Sequence, residues 1–395
     1  MHTQRLVIHY WNDMVLDIRS CRPDELQRLL PLLDEEFIFG KGRTVSLGLR
    51  FPALYCHNNL HNIIICTDGS EIVSALAMHF FDWREGDELF RGAMIGAVYT
   101  HPGRRKEGWA SRLLAEAALR LRVAEVDFGV LWTGQQSFYA RLGWIAADCS
   151  VLGEIEANGH GKCAPLDSEK LLAGHPNGTR HARFPDGTTS HSTKPASGQV
   201  AGYLPIPVST PQGLQPQTDC LPLVLPQAGE GGKDSLREFH DNELLPESSG
   251  GTIRLSAEAA CPRLEAIRQR CLNAMTLRGP EHYRRLPLPA ERVDILWREE
   301  QHGTAYALCG SSGETRFLYE LVGDAACFPA LWGEACHGRQ RVFINDRPDS
   351  PSCRWLTVHA GVNWKSKTLA MWLPLSKRVS MSRLGQWYIP YFDRI

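Results

Sequence analysis

The sequence predicts a mixed α/β fold that is built twice along the chain. Three observations carry this. Apolar runs of strand length alternate with runs of helical period, an antiparallel meander leads into a strand, basic turn and helix, and the same order of elements returns after residue 250. The basic turn is His101-Pro102-Gly103-Arg104-Arg105-Lys106-Glu107-Gly108-Trp109-Ala110-Ser111. Its successive N–H groups, added to the positive end of the helix that follows, suit a pyrophosphate.

The elements follow in order. Met14 to Arg19 reads as a strand, and Pro23-Asp24-Glu25 opens a helix with Pro and acids where the dipole favours them. Leu26, Leu29, Leu30 and Leu33 give it a buried face; Asp34-Glu35-Glu36 at its end reads as a solvated turn, or as recognition of a cationic substrate. A weak element is allowed after Gly40. Asn62 to Thr67 and Glu71 to Phe81 are strands joined by Asp68-Gly69, a hairpin turn, and Phe90 to Thr100 leads into the basic turn. Trp109, Leu113, Leu114, Ala117, Ala118 and Leu121 recur at helical spacing. Phe128 to Thr133 is a buried strand, Gln135 to Leu142 a short helix closed by Gly143, and Trp144 to Ile155 a returning strand.

Residues 1–155 thus form one domain, and 156–250 a Pro/Gly-rich linker or insertion, partly polyproline-like, with one ordered piece at Leu221 to Leu225. Residues 251–395 form a second domain. It has a helix over Pro262 to Met275, a hairpin of Val293 to Trp297 with Thr304 to Cys309, and a strand over Thr315 to Val322. A helix over Asp324 to Cys336, a strand over Arg341 to Asn345, a helix over Ser352 to His359 and a strand over Thr368 to Leu373 complete it. Val322-Gly323-Asp324-Ala325-Ala326 puts an acid where the first domain has its basic turn. The tail carries Trp387, Tyr388, Tyr391 and Phe392, enough ring area to dock an otherwise fraying terminus.

The totals narrow the classes of function. With 43 basic and 44 acidic residues there is no electrostatic footprint for nucleic acid or an anionic membrane, and no apolar stretch is long enough to span a bilayer. The 12 cysteines contain no Cys-x-x-Cys pair and read as reduced core residues of a cytoplasmic protein; no metal site is expected.

Arg105-Lys106-Glu107-Gly108-Trp109-Ala110 resembles the Arg/Gln-x-x-Gly-x-Gly/Ala acetyl-CoA signature of the GNAT (GCN5-related) N-acetyltransferases, on the strand and helix that signature requires. Phe138-Tyr139-Ala140-Arg141-Leu142-Gly143-Trp144 is similar to the family's Tyr-x-x-x-Gly-aromatic motif. The resemblance implies a GNAT acyl-CoA N-acyltransferase fold, followed by a second, degenerate GNAT-like domain. That tandem order is similar to acetyltransferases of the enhanced intracellular survival (Eis) type.

The resemblance also implies roles. Acetyl-CoA is the co-substrate, held by Val98, Tyr99 and Thr100 along the pantetheine and by Arg105, Lys106, Glu107, Gly108, Trp109, Ala110 and Ser111 at the pyrophosphate, with Arg104 nearby. A backbone N–H near Val98 faces the thioester oxygen, and Tyr139 protonates the leaving thiolate. The strand Arg91 to Thr100 holds no glutamate, so the base is open: His79 and Asp82, with Glu85 beyond, or the C-terminal carboxylate of Ile395, as in the Eis type.

The expected activity is transfer of an acetyl group to a primary amine by direct attack in a ternary complex. The alternative is a non-catalytic acyl-CoA sensor. The expected partner is a small amine or other amino-group substrate, with no nucleic acid and no membrane; a homo-oligomer is compatible with the sequence. The acidic clusters at 34–36 and 82–85 favour a polyamine, amino sugar or aminoglycoside over a lysine side chain.

Overall fold

A computed structural model of the chain describes residues 6–9, 15–156 and 251–395. The expected linker or insertion, with its piece at Leu221 to Leu225, lies outside the described residues apart from Glu156. β1 (Leu6–His9), β2 (Val15–Ser20), β3 (Ile63–Asp68), β4 (Glu71–Glu85) and β5 (Glu88–Thr100) form an antiparallel meander, with α1 (Pro23–Phe37) and α2 (Leu47–Arg50) inserted after β2. α3 (Trp109–Val123) crosses to β6 (Phe128–Trp132), which runs parallel to β5. α4 (Gln136–Ala140), β7 (Ile145–Ala146) and β8 (Val151–Glu156) follow.

The remaining elements are β9 (Ile253–Arg254), α5 (Ala257–Cys271), β10 (Ala274–Thr276), α6 (Pro280–Tyr283), β11 (Arg292–Glu300), β12 (Gly303–Ser312) and β13 (Thr315–Gly323). After them come α7 (Phe328–Cys336), β14 (Arg341–Asp346), α8 (Pro351–His359), β15 (Asn363–Ser366), β16 (Ala370–Pro374) and α9 (Met381–Leu384). β11, β12 and β13 repeat the antiparallel meander, and β14 lies parallel to β13, as β6 does to β5. The same order of antiparallel meander and parallel strand is therefore present twice.

The two sheets exchange strands. β16 inserts between β6 and β7 of the first sheet, whereas β8 pairs with β14 and β15 of the second. The returning strand expected over Trp144 to Ile155 is thus two strands that part company: Ile145–Ala146 stays in the first sheet and Val151–Glu156 leaves it. β10 also departs from expectation. The helix ends at Cys271 rather than Met275, and Ala274–Thr276 adds to the outer end of β4, opposite Glu85, Arg84 and Trp83. An open strand edge there offers backbone partners that a further half-turn of helix would not.

Packing explains the layers. On one face of the first sheet, Leu113, Leu114, Ala117 and Leu121 of α3 cover Val73, Leu76 and Met78 of β4. On the other, Leu26, Leu29, Leu30 and Leu33 of α1 cover Ile63, Ile65 and Ala75. Asp34 is no solvated turn residue: it is buried and accepts the Leu47 N–H at 2.7 Å, which joins α1 to α2. The aromatic tail is seated as expected. Trp387 packs on Trp83, Phe90 and Phe128 with ring centroids 4.9–5.4 Å apart, and its indole donates to Glu85 at 2.9 Å. Among the described residues no helix is long and apolar enough to cross a membrane.

Candidate active site

β5 and β6 pair only from Gly92–Phe128 to Met94–Val130, and beyond that point they diverge. On its other side β5 shifts register against β4, with Ala75 opposite Tyr99 but Ala77 opposite Gly96, and Ala97 takes a φ of +48°. This is a β-bulge with a non-glycine residue in the left-handed region, a strained arrangement that turns main-chain groups out of the ladder. The opening between the strands is a cavity of about 810 Å³ that spans the sheet. Val98, Tyr99 and Thr100 line it, the residues the sequence resemblance sets along the pantetheine.

The turn closes one end. Lys106 and Gly108 have φ of +70° and +86°, so the chain reverses into the first turn of α3, whose N-cap, Gly108, has no capping side chain. Arg105, Lys106, Gly108, Trp109, Ala110 and Ser111 all border the cavity. Glu107 and Arg104 do not. Glu107 accepts from the Trp109 indole at 2.8 Å and from Arg104 at 3.0 Å, and Arg104 also reaches Asp68 at 3.0 Å, so this pair braces the turn from outside. The Arg105 guanidinium donates to Glu36 at 2.8 Å across the cavity rim.

Tyr139 reaches the cavity from α4. Its ring is held edge-on by Phe138 at 4.9 Å and Trp144 at 6.4 Å, and among the described residues its hydroxyl has no hydrogen-bond partner. Burial pushes the phenol up to about 12. The hydroxyl therefore keeps its proton in an apolar wall.

The last residue arrives from the other side. A methyl group built on Gly96 would lie 3.0 Å from the Ile395 Cγ1 and 3.2 Å from its main-chain carbonyl carbon. Any side chain at Gly96 would have to push Ile395 back by a few tenths of an ångström. What holds Ile395 there is a buried ionic cluster two residues upstream. Arg278 donates to both oxygens of Asp393, at 2.7 and 2.8 Å, and to both of Glu320, at 2.8 and 2.9 Å; Thr276 adds a bond to Asp393 at 2.6 Å. Burial alone would raise the Asp393 carboxyl, but Arg278 holds it well below the usual carboxylate range.

His79 and Asp82 are not brought to the cavity. His79 shares the face of β4 that carries Ala75 and Ala77, but its Nε2 lies 2.6 Å from the Arg285 guanidinium, which also donates to the Asp393 carbonyl at 3.3 Å. Desolvation, followed by the charge of Arg285, lowers the imidazole well below its ordinary value. It therefore accepts from Arg285 as a neutral ring and braces the tail. Asp82 is exposed and its carbonyl pairs with the Leu277 N–H. Glu85 is bound by Arg383 and Trp387.

The sequence reading missed the Gly96-Ala97 bulge and the Arg278–Asp393 anchor; of the Asp34-Glu35-Glu36 cluster it offered for substrate recognition, Glu36 alone lines the cavity. Adjacent small residues inside an apolar strand are a usable signal for the bulge. The anchor has none, since 115 residues separate its partners. In the second domain β13 and β14 also diverge, beyond Leu318–Ile344, but the turn after β13 is occupied: Asp324 accepts from the Thr304 N–H and from Arg270, each at 2.8 Å.

Residues 17–147 match the acetyltransferase (GNAT) domain family. Among solved structures, the chain is similar to a GCN5-related N-acetyltransferase from Anabaena variabilis ATCC 29413, with a TM-score of 0.55 and 11% identity over 91% of this chain and 73% of that one. It is similar to a GCN5-related N-acetyltransferase from Kribbella flavida, with a TM-score of 0.54 and 14% identity over 91% and 70%. A third is a conserved protein of unknown function from Enterococcus faecalis V583, a probable N-acyltransferase, with a TM-score of 0.56 and 12% identity over 92% and 73%. At these identities the likeness is one of fold. No curated protein matches the sequence.

Proposed function

We propose that the chain, whose residues 17–147 are a GNAT acetyltransferase domain, is an acetyl-CoA-dependent N-acetyltransferase that joins an acetyl group to a primary amine in a ternary complex. The observation that carries the reading is the convergence of three features on one cavity: the splayed β5–β6 pair, the uncapped start of α3 and the Tyr139 hydroxyl, which has no partner among the described residues.

The residues present fit acetyl-CoA. The Arg105–Ser111 backbone and the first turn of α3 suit a pyrophosphate, and the free side of β5 at Val98 to Thr100 suits an extended chain bearing amides. Acetyl-CoA supplies a thioester carbon for the neutral amine to attack: the N–C bond forms and the C–S bond breaks. The Val98 N–H, on a residue that the bulge leaves without a partner in the β4 register, stabilises the negative charge that develops on the carbonyl oxygen. Tyr139 gives its proton to the departing sulfur. Against a thiol reference of about 8.5, a phenol near 12 gives up its proton uphill, so the step draws on desolvation of the departing thiolate in the same apolar wall, which raises the proton affinity of the sulfur. The amine proton passes to the Ile395 carboxyl group, which the buried Arg278–Asp393 pair keeps at the bulge. Holding amine and thioester together in one cavity supplies the orientation that solution lacks.

Tyr139→Phe tests the reading. Loss of a positioned general acid lowers turnover by about 10²–10⁴-fold, and calorimetric binding of acetyl-CoA stays unchanged. Equal thiol release by the variant and the parent would remove Tyr139 from the chemistry and favour a sensor.

A further inference from the structure

The cavity passes through the sheet, and its two ends differ in kind. On the α3 face lie the turn, Trp109 and Tyr139. On the opposite face, where the amine must enter if acetyl-CoA occupies the first, the wall is Phe37, Phe51, Leu54, Tyr55, Leu288 and Ile395. A side chamber of about 280 Å³ continues from it between Trp132, Leu369 and Tyr391.

The charges around this end are few and already engaged. Glu36 is the only carboxylate side chain lining either space among the described residues, and it accepts from Arg105 at 2.8 Å. The one cation in the side chamber, Arg394, sits over the rings of Trp132 and Tyr391 at 4.9 and 5.1 Å and donates to the Ile389 carbonyl and Asn345. Of the acids that suggest a polycation in the sequence, Glu36 lines the cavity but is bound by Arg105, while Asp34 is bonded to Leu47 and Glu85 to Arg383 and Trp387.

We infer that the acceptor is a small primary monoamine on an apolar or aromatic body, and that compounds bearing a second ammonium group are poor substrates. The inference rests on the transfer reading above. One ammonium sheds its proton to solvent before attack, and the proton that leaves the nitrogen as the N–C bond forms passes to the Ile395 carboxylate. A second would stay charged among aromatic and aliphatic side chains, beside Arg394 and without a free carboxylate, and would lose its hydration uncompensated. An alkyl or aryl body gains from leaving water in the same place, and the Phe51 ring, which lines both spaces, rewards an aromatic one. The side chamber lies at the small end of ligand pockets, which limits the body to a small molecule.

The test is thiol release by the full chain from acetyl-CoA with matched amines: 2-phenylethylamine and hexylamine against 1,6-diaminohexane, spermidine and an aminoglycoside. The expected result is a kcat/KM at least about tenfold higher for the monoamines, with 2-phenylethylamine, but not the diamine, raising the melting temperature of the CoA complex. Equal or better use of the diamine, spermidine or the aminoglycoside would overturn the inference and leave the transfer reading standing. Thiol release with none of them, while acetyl-CoA binds by calorimetry, would overturn both. Leu288→Glu adds a carboxylate to this wall and shifts the monoamine-to-diamine ratio at least tenfold toward the diamine; an unchanged ratio in the folded variant also overturns it. The comparison on the parent chain stands whether or not that variant folds.

Discussion

At the scale of single residues, close approach and proton state decide what the site does. Gly96 leaves room for the Ile395 main chain, 3.2 Å from where its side chain would begin. Gly96→Val is expected to displace Ile395 and lower kcat while leaving the acetyl-CoA dissociation constant within twofold; a normal kcat would separate Ile395 from the mechanism. His79 gives a pH dependence of definite sign. Its folded-state pKa is depressed, so its contribution is complete above the unfolded value of about 6.5 and is lost as pH falls from there toward the native one. Urea midpoints of His79→Gln should therefore fall less between about pH 7 and 5 than those of the parent; parallel curves would contradict this. Tyr139 and the turn were legible in the sequence because each is a local pattern on one element. His79 was misread for the complementary reason: whether a lone histidine faces substrate or an arginine 206 residues away is not written nearby.

At the scale of elements, the tail is the instructive case. Four rings in ten residues announced a docked segment, and Trp387 and Phe392 are buried as that implies. The address, however, is set by polar groups. Asp393 is 1% exposed and shares Arg278 with Glu320, which Tyr306 also contacts at 2.8 Å. Removing one partner of such a buried pair leaves an uncompensated charge and costs roughly 3 kcal/mol or more. Asp393→Asn is expected to lose about that much in chemical denaturation and to lower kcat more than it raises the KM for acetyl-CoA. A loss below about 1 kcal/mol would mean that the rings alone hold the tail. β10 shows the limit of periodicity. Residues up to Met275 keep a helical pattern, yet a strand edge 190 residues earlier in the chain takes Ala274–Thr276.

At the scale of the molecule, strand exchange couples the two sheets. β16 sits between β6 and β7, and its Trp372 packs with Phe128 and Trp387, so the first sheet is incomplete without the last thirty residues. A fragment of residues 1–156 is expected to aggregate or to lack near-ultraviolet dichroism, because the β6 edge and the Trp83 cluster are left open. Co-expression with residues 251–395 should restore a folded, acetyl-CoA-binding complex. A soluble, cooperatively unfolding fragment would show the exchange to be dispensable.

The sequence by itself determined the mixed α/β class, the doubled order of elements, the turn at 101–111 and Tyr139, because turn chemistry, helical period and strand alternation act over a few residues. Only the tertiary structure decided that β8 and β16 change sheets, that Ile395 rather than His79 reaches the bulge, and that one end of the cavity is apolar while Asp34 and Glu85 are bonded away from it. Those outcomes depend on which distant edges, rings and charges meet. They are fixed by packing and by the pairing of buried polar groups across more than a hundred residues, which no local pattern encodes.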